Sequence, residues 1–458
     1  MLTHSVRRLG GLLLLAGGIA SVFLFGTATA FAADPGYPIW TRSYTGRGSV
    51  QWFSHVAACP NGDIVVAGGS VVAGHSHLVV SRYSAGGKRL WVKVGGLAGT
   101  ADDRPVALAV DGLGNVVVAS EHRIDIATSQ YLVVKYSSAG RRVWKRYIDG
   151  GAGSYNDPSD LVLDAAGNAY ITGQATLAGP FVASLTAKLR AANGTVAWKR
   201  TFSGINVLTN GRSLAVDGRG YVYVVGSGDR GDGKYEVVTV KLKPSGAVNW
   251  TREAPGGATE DTRGQRVALG PLGRLYVVGQ TSAGTPSYTH LIIKYTTAGT
   301  EKWRGTYDAP YGTLDTIDDL RTDRFGNAFI TGTVGSLGLV PTHSFLVRWT
   351  PGGSRWIYET PSAALEATAL RAVVPDQSGG CYVAGTLTVA SFTPESIAMG
   401  YLARISKAGT VRWQRLLASA DTDTYVQDLS LCRGGLCLAG DTFVGPGGRP
   451  AIVVKCAR

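Results

Sequence analysis

Eight tryptophans constrain this chain more than any other feature. Trp40, Trp91, Trp144, Trp198, Trp250, Trp303, Trp356 and Trp413 follow one another at intervals of 51 to 57 residues. Those at 40, 144, 198, 250 and 413 open a Trp-x-Arg triplet. Most are preceded by an apolar run that ends in a basic residue and then a Gly turn. Val133-Val134-Lys135-Tyr136-Ser137-Ser138-Ala139-Gly140 and Ile292-Ile293-Lys294-Tyr295-Thr296-Thr297-Ala298-Gly299 are examples. A fixed period of this length marks a repeat architecture, in which each unit buries its apolar faces against its neighbours.

A second marker recurs with the same period. Asp111-Gly112-Leu113-Gly114-Asn115, Asp164-Ala165-Ala166-Gly167-Asn168 and Asp323-Arg324-Phe325-Gly326-Asn327 each sit between two alternating runs, with variants near Gly62, Gly220, Gly273, Gly379 and Gly435. Asp and Asn bond their own backbone in such turns, and Gly supplies the positive φ. Each unit reads as four strands, as at 105–111, 115–121, 131–137 and 143–149. Composition agrees: 63 of 458 residues are Gly, 45% are hydrophobic and 17% charged. That excludes a disordered chain, a collagen and a long coiled coil.

Four strands per unit predict an all-β fold, a single β-propeller of four-stranded antiparallel blades over residues 33–458. The markers give eight blades. The last unit stops after a third strand, Ala451-Ile452-Val453-Val454-Lys455, and an orphan strand, Pro38 to Tyr44, precedes the first unit. The N-terminal strand is expected to complete the C-terminal blade, which removes two sheet edges.

The units resemble the SBBP repeat, the "seven-bladed β-propeller repeat" of secreted bacterial proteins. The residues that carry the resemblance are the Asp-x-x-Gly-Asn turn, the Asn168 to Gly173 strand, the Lys-Leu or Lys-Tyr strand end, and the Trp-x-Arg strand. Gly150-Gly151 and Gly256-Gly257 follow that strand. The resemblance implies a propeller fold and no particular activity. The spacing departs from the family's name in giving eight units. Gly-x-x-x-Trp, as from Gly140 to Trp144 and from Gly299 to Trp303, is similar to the tryptophan-docking repeat of quinoproteins. Enzymes of that family carry pyrroloquinoline quinone and calcium, and use a disulfide between adjacent cysteines. This sequence has no adjacent Cys pair. The repeated tryptophans themselves read as inter-blade packing, with an aromatic sugar-binding ladder as the alternative.

In such a topology the 2–3 loops and blade connections share one face. They include the long segments Thr281–Ser287, Gly335–Thr342 and Thr388–Gly400. Binding residues concentrate on loops held by a rigid scaffold. Asp103, Asn156, Asp157, Asn210, Asp261, Asp315 and Asp423 recur there, seven to nine residues before the turn Asp position. They are candidates for a polar ring at the channel mouth, able to take calcium or a basic or polyol ligand. The alternative is that each caps its own connection. Asp318-Asp319 beside Asp315, and Asp421 beside Asp423, break the pattern, so Asp319 joins the candidates. His122 is a stray candidate for catalysis at the mouth. His75-x-His77 offers two rings on one strand face, short of the four ligands zinc prefers.

Arg7 and Arg8, an apolar run from Leu9 to about Phe25 and Ala30-Phe31-Ala32 read as a secretory signal peptide over residues 1–32. The remaining chain is expected to be a monomer in the periplasm or outside the cell, without a transmembrane segment. Net charge is +13, with Lys and Arg dispersed. A basic balance attracts acidic envelope polymers, and dispersed charge without a binding motif argues against nucleic acid. Cys432 and Cys437 flank a short hairpin and are the candidate disulfide. Cys59 and Cys456 belong to blades that adjoin at closure, and Cys381 has no evident partner. The leading expectation is a non-catalytic module that binds a protein or cell-envelope polymer and carries no cofactor, with calcium as the candidate ion. The alternative is a funnel-mouth enzyme: a lyase, a glycosidase or a quinone oxidoreductase.

Overall fold

The computed structural model describes Val22–Phe23 and residues 34–458, apart from 47, 49, 96–99, 152–154, 178–181, 205–206, 257–259, 283–287, 309–315, 336–342, 361–365, 390–396, 419–421 and 444–448. The leader expected at residues 1–32 thus lies outside the described residues, except for Val22–Phe23, which pair in parallel with Leu416 and Leu417.

Among the described residues the strands form eight sheets. Blade 1 comprises Val50–Ala58, Ile64–Val72, His75–Tyr83 and Arg89–Val94. Blades 2 to 7 repeat this order, beginning at Asp102, Asn156, Leu208, Asp261, Thr316 and Glu366. Blade 8 has Asp423–Cys432, Gly435–Phe443 and Ala451–Cys456, and its outermost strand is Pro38–Tyr44. Trp40 pairs with Lys455 and Tyr44 with Ala451. The expected closure is therefore present. The first strand of every blade touches the first strands of both neighbouring blades, and the circuit closes between blades 8 and 1. Those eight strands line a central channel. The one helical element among the described residues is the 3₁₀ turn Pro271–Gly273. No helix of the described residues is long and apolar enough to cross a membrane.

The core lies between blades. Val117, Ala119 and Val133 of blade 2 pack on Ile171, Leu185 and Ala187 of blade 3. Seven further clusters fill the other seven interfaces. Second and third strands are apolar on both sides because both of their faces meet a neighbouring blade. Ile64, Val65, Val66 and Ala67 are all fully buried.

The repeated residues are consumed by these interfaces. Each outer-strand Trp reaches the 3–4 turn of the next blade. Its indole N–H donates to the carbonyl of Ala85, Ser138, Ala191, Pro244, Thr297, Pro351 or Lys407, at 2.9 to 3.2 Å. The indole covers the turn glycine: a methyl group on Gly246 (φ +83°) would lie 2.7 Å from the Trp198 ring. The strand-end base reaches the same carbonyls, as Lys135 does to Ala191 and Lys241 to Thr297. A buried Trp removes roughly 150–250 Å² from water. At about 25 cal/mol per Å² each contact contributes at most about 4–6 kcal/mol. Packing thus accounts for the tryptophans, and no sugar-binding role is needed.

One member differs. Blade 8 has no 3–4 turn, because its third and outermost strands come from opposite ends of the sequence. Gly36 and Tyr37 pair with Ala457 there instead. Trp413 still covers Gly36, but among the described residues its buried indole N–H has no partner.

Candidate functional site

A β-bulge at one position in every inner strand sets what faces the channel. The inserted residues are Ser54, Val106, Ser159, Arg212, Gln265, Asp318, Arg371 and Gln427. Bulges re-aim the flanking side chains. Residues two before the bulge form a mouth row: Trp52, Arg104, Asp157, Asn210, Arg263, Thr316, Ala369 and Tyr425. Those three after it form the deepest row, where Arg321 stands among small or apolar side chains.

The sequence candidates fall in several rows. Asp261 and Asp423 lie four residues before the bulge, Asp103 and Asn156 three, and Asp157 and Asn210 two. Asp319 lies one residue after it, and Asp315 lies outside the described residues. Period-2 alternation sends adjacent rows to opposite sides of a strand. Most are bonded within or between blades. Asp261 accepts the Tyr235 N–H at 2.9 Å, and Asp423 accepts that of Ala398 at 2.8 Å, each from the preceding blade. Asn156 accepts from the Gly150 N–H and donates to the Ser129 carbonyl. Asp319 accepts from its own neighbour Leu320 and from Val373 of the next blade. Asp160 and Asp428, at the same position, do likewise with Leu214 and Val56. Burial pushes the Asp428 carboxyl up to about 7, and the same cause takes His55, also one after its bulge, down to about 4.

Asp157 and Asn210 remain at the mouth. Asp157 accepts from Arg104 of blade 2 at 2.9 Å. Burial raises its carboxyl above the usual range, against the pull of that guanidinium. Arg104 also donates to the buried Glu121 at 3.0 Å, and Arg123 joins Glu121 to the Tyr155 hydroxyl. In blade 5, Arg263 pairs with Asp261 at 2.9 Å and stacks over Tyr235. Arg266 donates to the Asp318 carbonyl of blade 6. Between these groups stands Arg212 of blade 4, exposed to the channel. Burial lowers its guanidinium's affinity for a proton, and the charges of Arg266 and Arg263 add to that, while Asp157 opposes it. Deeper, Asp319 holds Arg321 at 3.1 Å, and Asp428 and Asp160 add to the same pull. The mouth on the blade 2–5 side thus carries five arginines, of which Arg104, Arg123 and Arg263 are paired with carboxylates, and below it lies an acidic belt with one cation.

His122 accepts or donates at Nδ1 with Asp103 Oδ1, 2.7 Å apart, and packs on Tyr147. Yet Glu121 and His122 are consecutive in one strand. Glu121 faces blade 3 and the mouth, and Asp103, with its His122, faces the Gly95 and Leu78 side of blade 1. Glu121 and the Asp103–His122 pair therefore face different sides of the strand. His77 is buried, and His75 lies 3.7 Å from Asp102. Among the described residues no group of three or more His, Cys, Asp or Glu is arranged to hold a metal. Cys432 and Cys437 are bonded, as the hairpin spacing suggested, and Cys59, Cys381 and Cys456 are buried thiols.

Sequence reasoning passed over Arg104, Arg212, Arg263 and Arg321. Their signal was present: each is a long basic residue at an aligned inner-strand position where most other blades carry short, apolar or neutral ones.

Residues 197–233 match the family model described as SBBP, a β-propeller repeat. No curated protein matches the chain. Among solved structures, a polysaccharide lyase, PL25 ulvan lyase, has 11% identity and a TM-score of 0.48, over 76% of this chain and 92% of that one. The WD40 domain of SCAP from fission yeast has 8% identity and a TM-score of 0.47, over 91% and 98%. A Dyadobacter fermentans protein of unknown function has 11% identity and a TM-score of 0.40, over 92% and 99%. Likenesses this distant have no bearing on what the chain binds. The SBBP match covers residues 197–233, and the chain as a whole is a β-propeller of eight four-stranded blades.

Proposed function

We propose that the chain is a non-catalytic binding module of the periplasm or cell exterior, which engages a protein or envelope polymer through its loop face. One observation carries this reading. The repeated Trp and strand-end base hold blade to blade and the repeated turn Asp closes its own turn, whereas most of the charges that break the eightfold pattern gather at the channel mouth on the loop face. Function needs asymmetry, and this is where the asymmetry lies. The engagement of Asp261, Asn156, Asp319 and Asp423 with backbone groups supports a module without a resident calcium ion. Export rests on the leader pattern at residues 1–32, and N-terminal sequencing of the mature protein should begin at Ala33.

The test is hydrogen exchange of the protein with and without purified envelope polymer. Protection is expected at the strand starts around Arg104, Asp157 and Tyr235. Protection confined to the Asp-Gly turns of the opposite face would refute the assignment.

A further inference from the structure

We propose that the mouth of the channel is an oxyanion site, centred on Arg212 with Arg263 and Arg266, that takes the carboxylate or sulfate groups of an acidic polysaccharide. The inference deepens the loop-face reading and rests on it.

Arg212 occupies the bulge of its inner strand, where the neighbouring blades place the shorter Ser159 and Gln265. The bulge turns the side chain into the channel, between the buried residues Gly211 and Ser213. Among the described residues it makes no hydrogen bond or ion pair. Asp157 attracts it, and Arg266 and Arg263 repel it. The opposing charge is Asp157, already committed to Arg104 at 2.9 Å. A guanidinium that faces the channel without a hydrogen-bonded or ion-paired carboxylate keeps its donors available to an entering anion. Its planar fork of donors matches the paired oxygens of carboxylate and sulfate.

Depth is limited from below. Asp160, Asp319 and Asp428 ring the channel past the bulge, their oxygens turned to backbone N–H groups. They repel an anion that goes further, so the site is one layer deep.

A repeating polymer fits better than a single small anion. Around the same mouth Arg104, Arg123 and Arg371 leave 58%, 45% and 43% of their side chains exposed. They are spread over blades 2 and 7, to either side of Arg212. A stiff chain with an anionic group on each sugar reaches several of them while one group enters the channel.

The experiment is calorimetric titration of the protein with four probes: galacturonate oligomers, sulfated dextran oligomers, neutral dextran and polyglutamate. Binding of either acidic glycan is expected, with neutral dextran silent, and the two acidic arms distinguish carboxylate from sulfate. Arg212→Gln should weaken that binding at least tenfold and flatten its salt dependence. Arg212→Lys should recover part of it, and Arg141→Gln, on the opposite face, should leave it unchanged. Arg263→Gln serves as a second variant should Arg212→Gln fold poorly. Equal or tighter binding of polyglutamate overturns the polysaccharide class. Glycan binding that is indifferent to both Arg212→Gln and Arg263→Gln overturns the site. Should no acidic probe bind while envelope polymer still protects the loop face in hydrogen exchange, the oxyanion site falls and the loop-face reading stands.

Discussion

The eight tryptophans provide an internal comparison. Trp144 donates to the Ala191 carbonyl at 3.0 Å and is 5% exposed. Trp413 holds the same place in blade 7, yet its indole N–H is buried without a partner among the described residues. Phe at either position keeps a ring over the turn glycine and removes a similar slice of apolar surface, about 1 kcal/mol. Trp144→Phe also loses a hydrogen bond, about 1 kcal/mol net. The Ala191 carbonyl is not orphaned, because Lys135 still donates to it at 3.3 Å. Trp413→Phe instead removes an unsatisfied donor, whose burial costs about 1–3 kcal/mol. The first variant should lose about 2 kcal/mol, and the second should lie near the parent or above it. Urea midpoints with unchanged m-values measure the difference. Equal losses, within about 0.5 kcal/mol, would refute the claim that the blade without a turn leaves its tryptophan unsatisfied.

Three further expectations follow from the interfaces. The Asp428 carboxyl titrates near 7 in the fold, because burial raises it from an ordinary value near 3.8. The folded state then binds the proton more tightly, so this group lowers stability as pH climbs from about 4 to about 7, by up to about 4 kcal/mol. Asp428→Asn should be the less pH-sensitive protein in unfolding titrations between pH 5 and 8, and a parallel profile would exclude the effect. Gly246→Ala combines a left-handed backbone with a methyl group 2.7 Å from the Trp198 ring. It should cost about 2–4 kcal/mol in a thermal melt, and a neutral result would mean the ring moves freely. Deleting Pro38–Tyr44 bares the Ala451–Cys456 edge and removes Trp40 and Tyr44 from the core of the closing interface. Size-exclusion chromatography should show aggregates or swapped oligomers, and an intact monomer would show that closure is dispensable.

The fold was legible because its determinants repeat. The outer-strand Trp and the strand-end base recur in all eight blades and the turn Asp in five of them, so their spacing indicated the blade count and the closing strand. The site was less legible for the opposite reason. Asn156 and Asp261 stood out through recurrence, and they are fasteners between blades, whereas Asp103 pairs with His122 of its own blade. Arg212 gave no periodic signal. Its significance comes from a bulge that one sequence does not announce and from charges that lie far along the chain. The offset between Asp157 and Asp261, two rows of one strand surface, was equally hidden until the bulges fixed the register.

The closing strand also bears on how the chain reaches its native state. Trp40 and Lys455 are neighbours in the sheet though more than 400 residues separate them. Bringing such distant ends together costs about 3 kcal/mol more chain entropy than closing a hairpin of about ten residues. Seven blades can assemble as they emerge, each on the one before. The eighth must wait for the whole polypeptide, with its Ala451–Cys456 edge unpaired meanwhile. The ring therefore has a clasp that is last to fasten, at the interface between blades 8 and 1, where Asp428 receives the Val56 N–H.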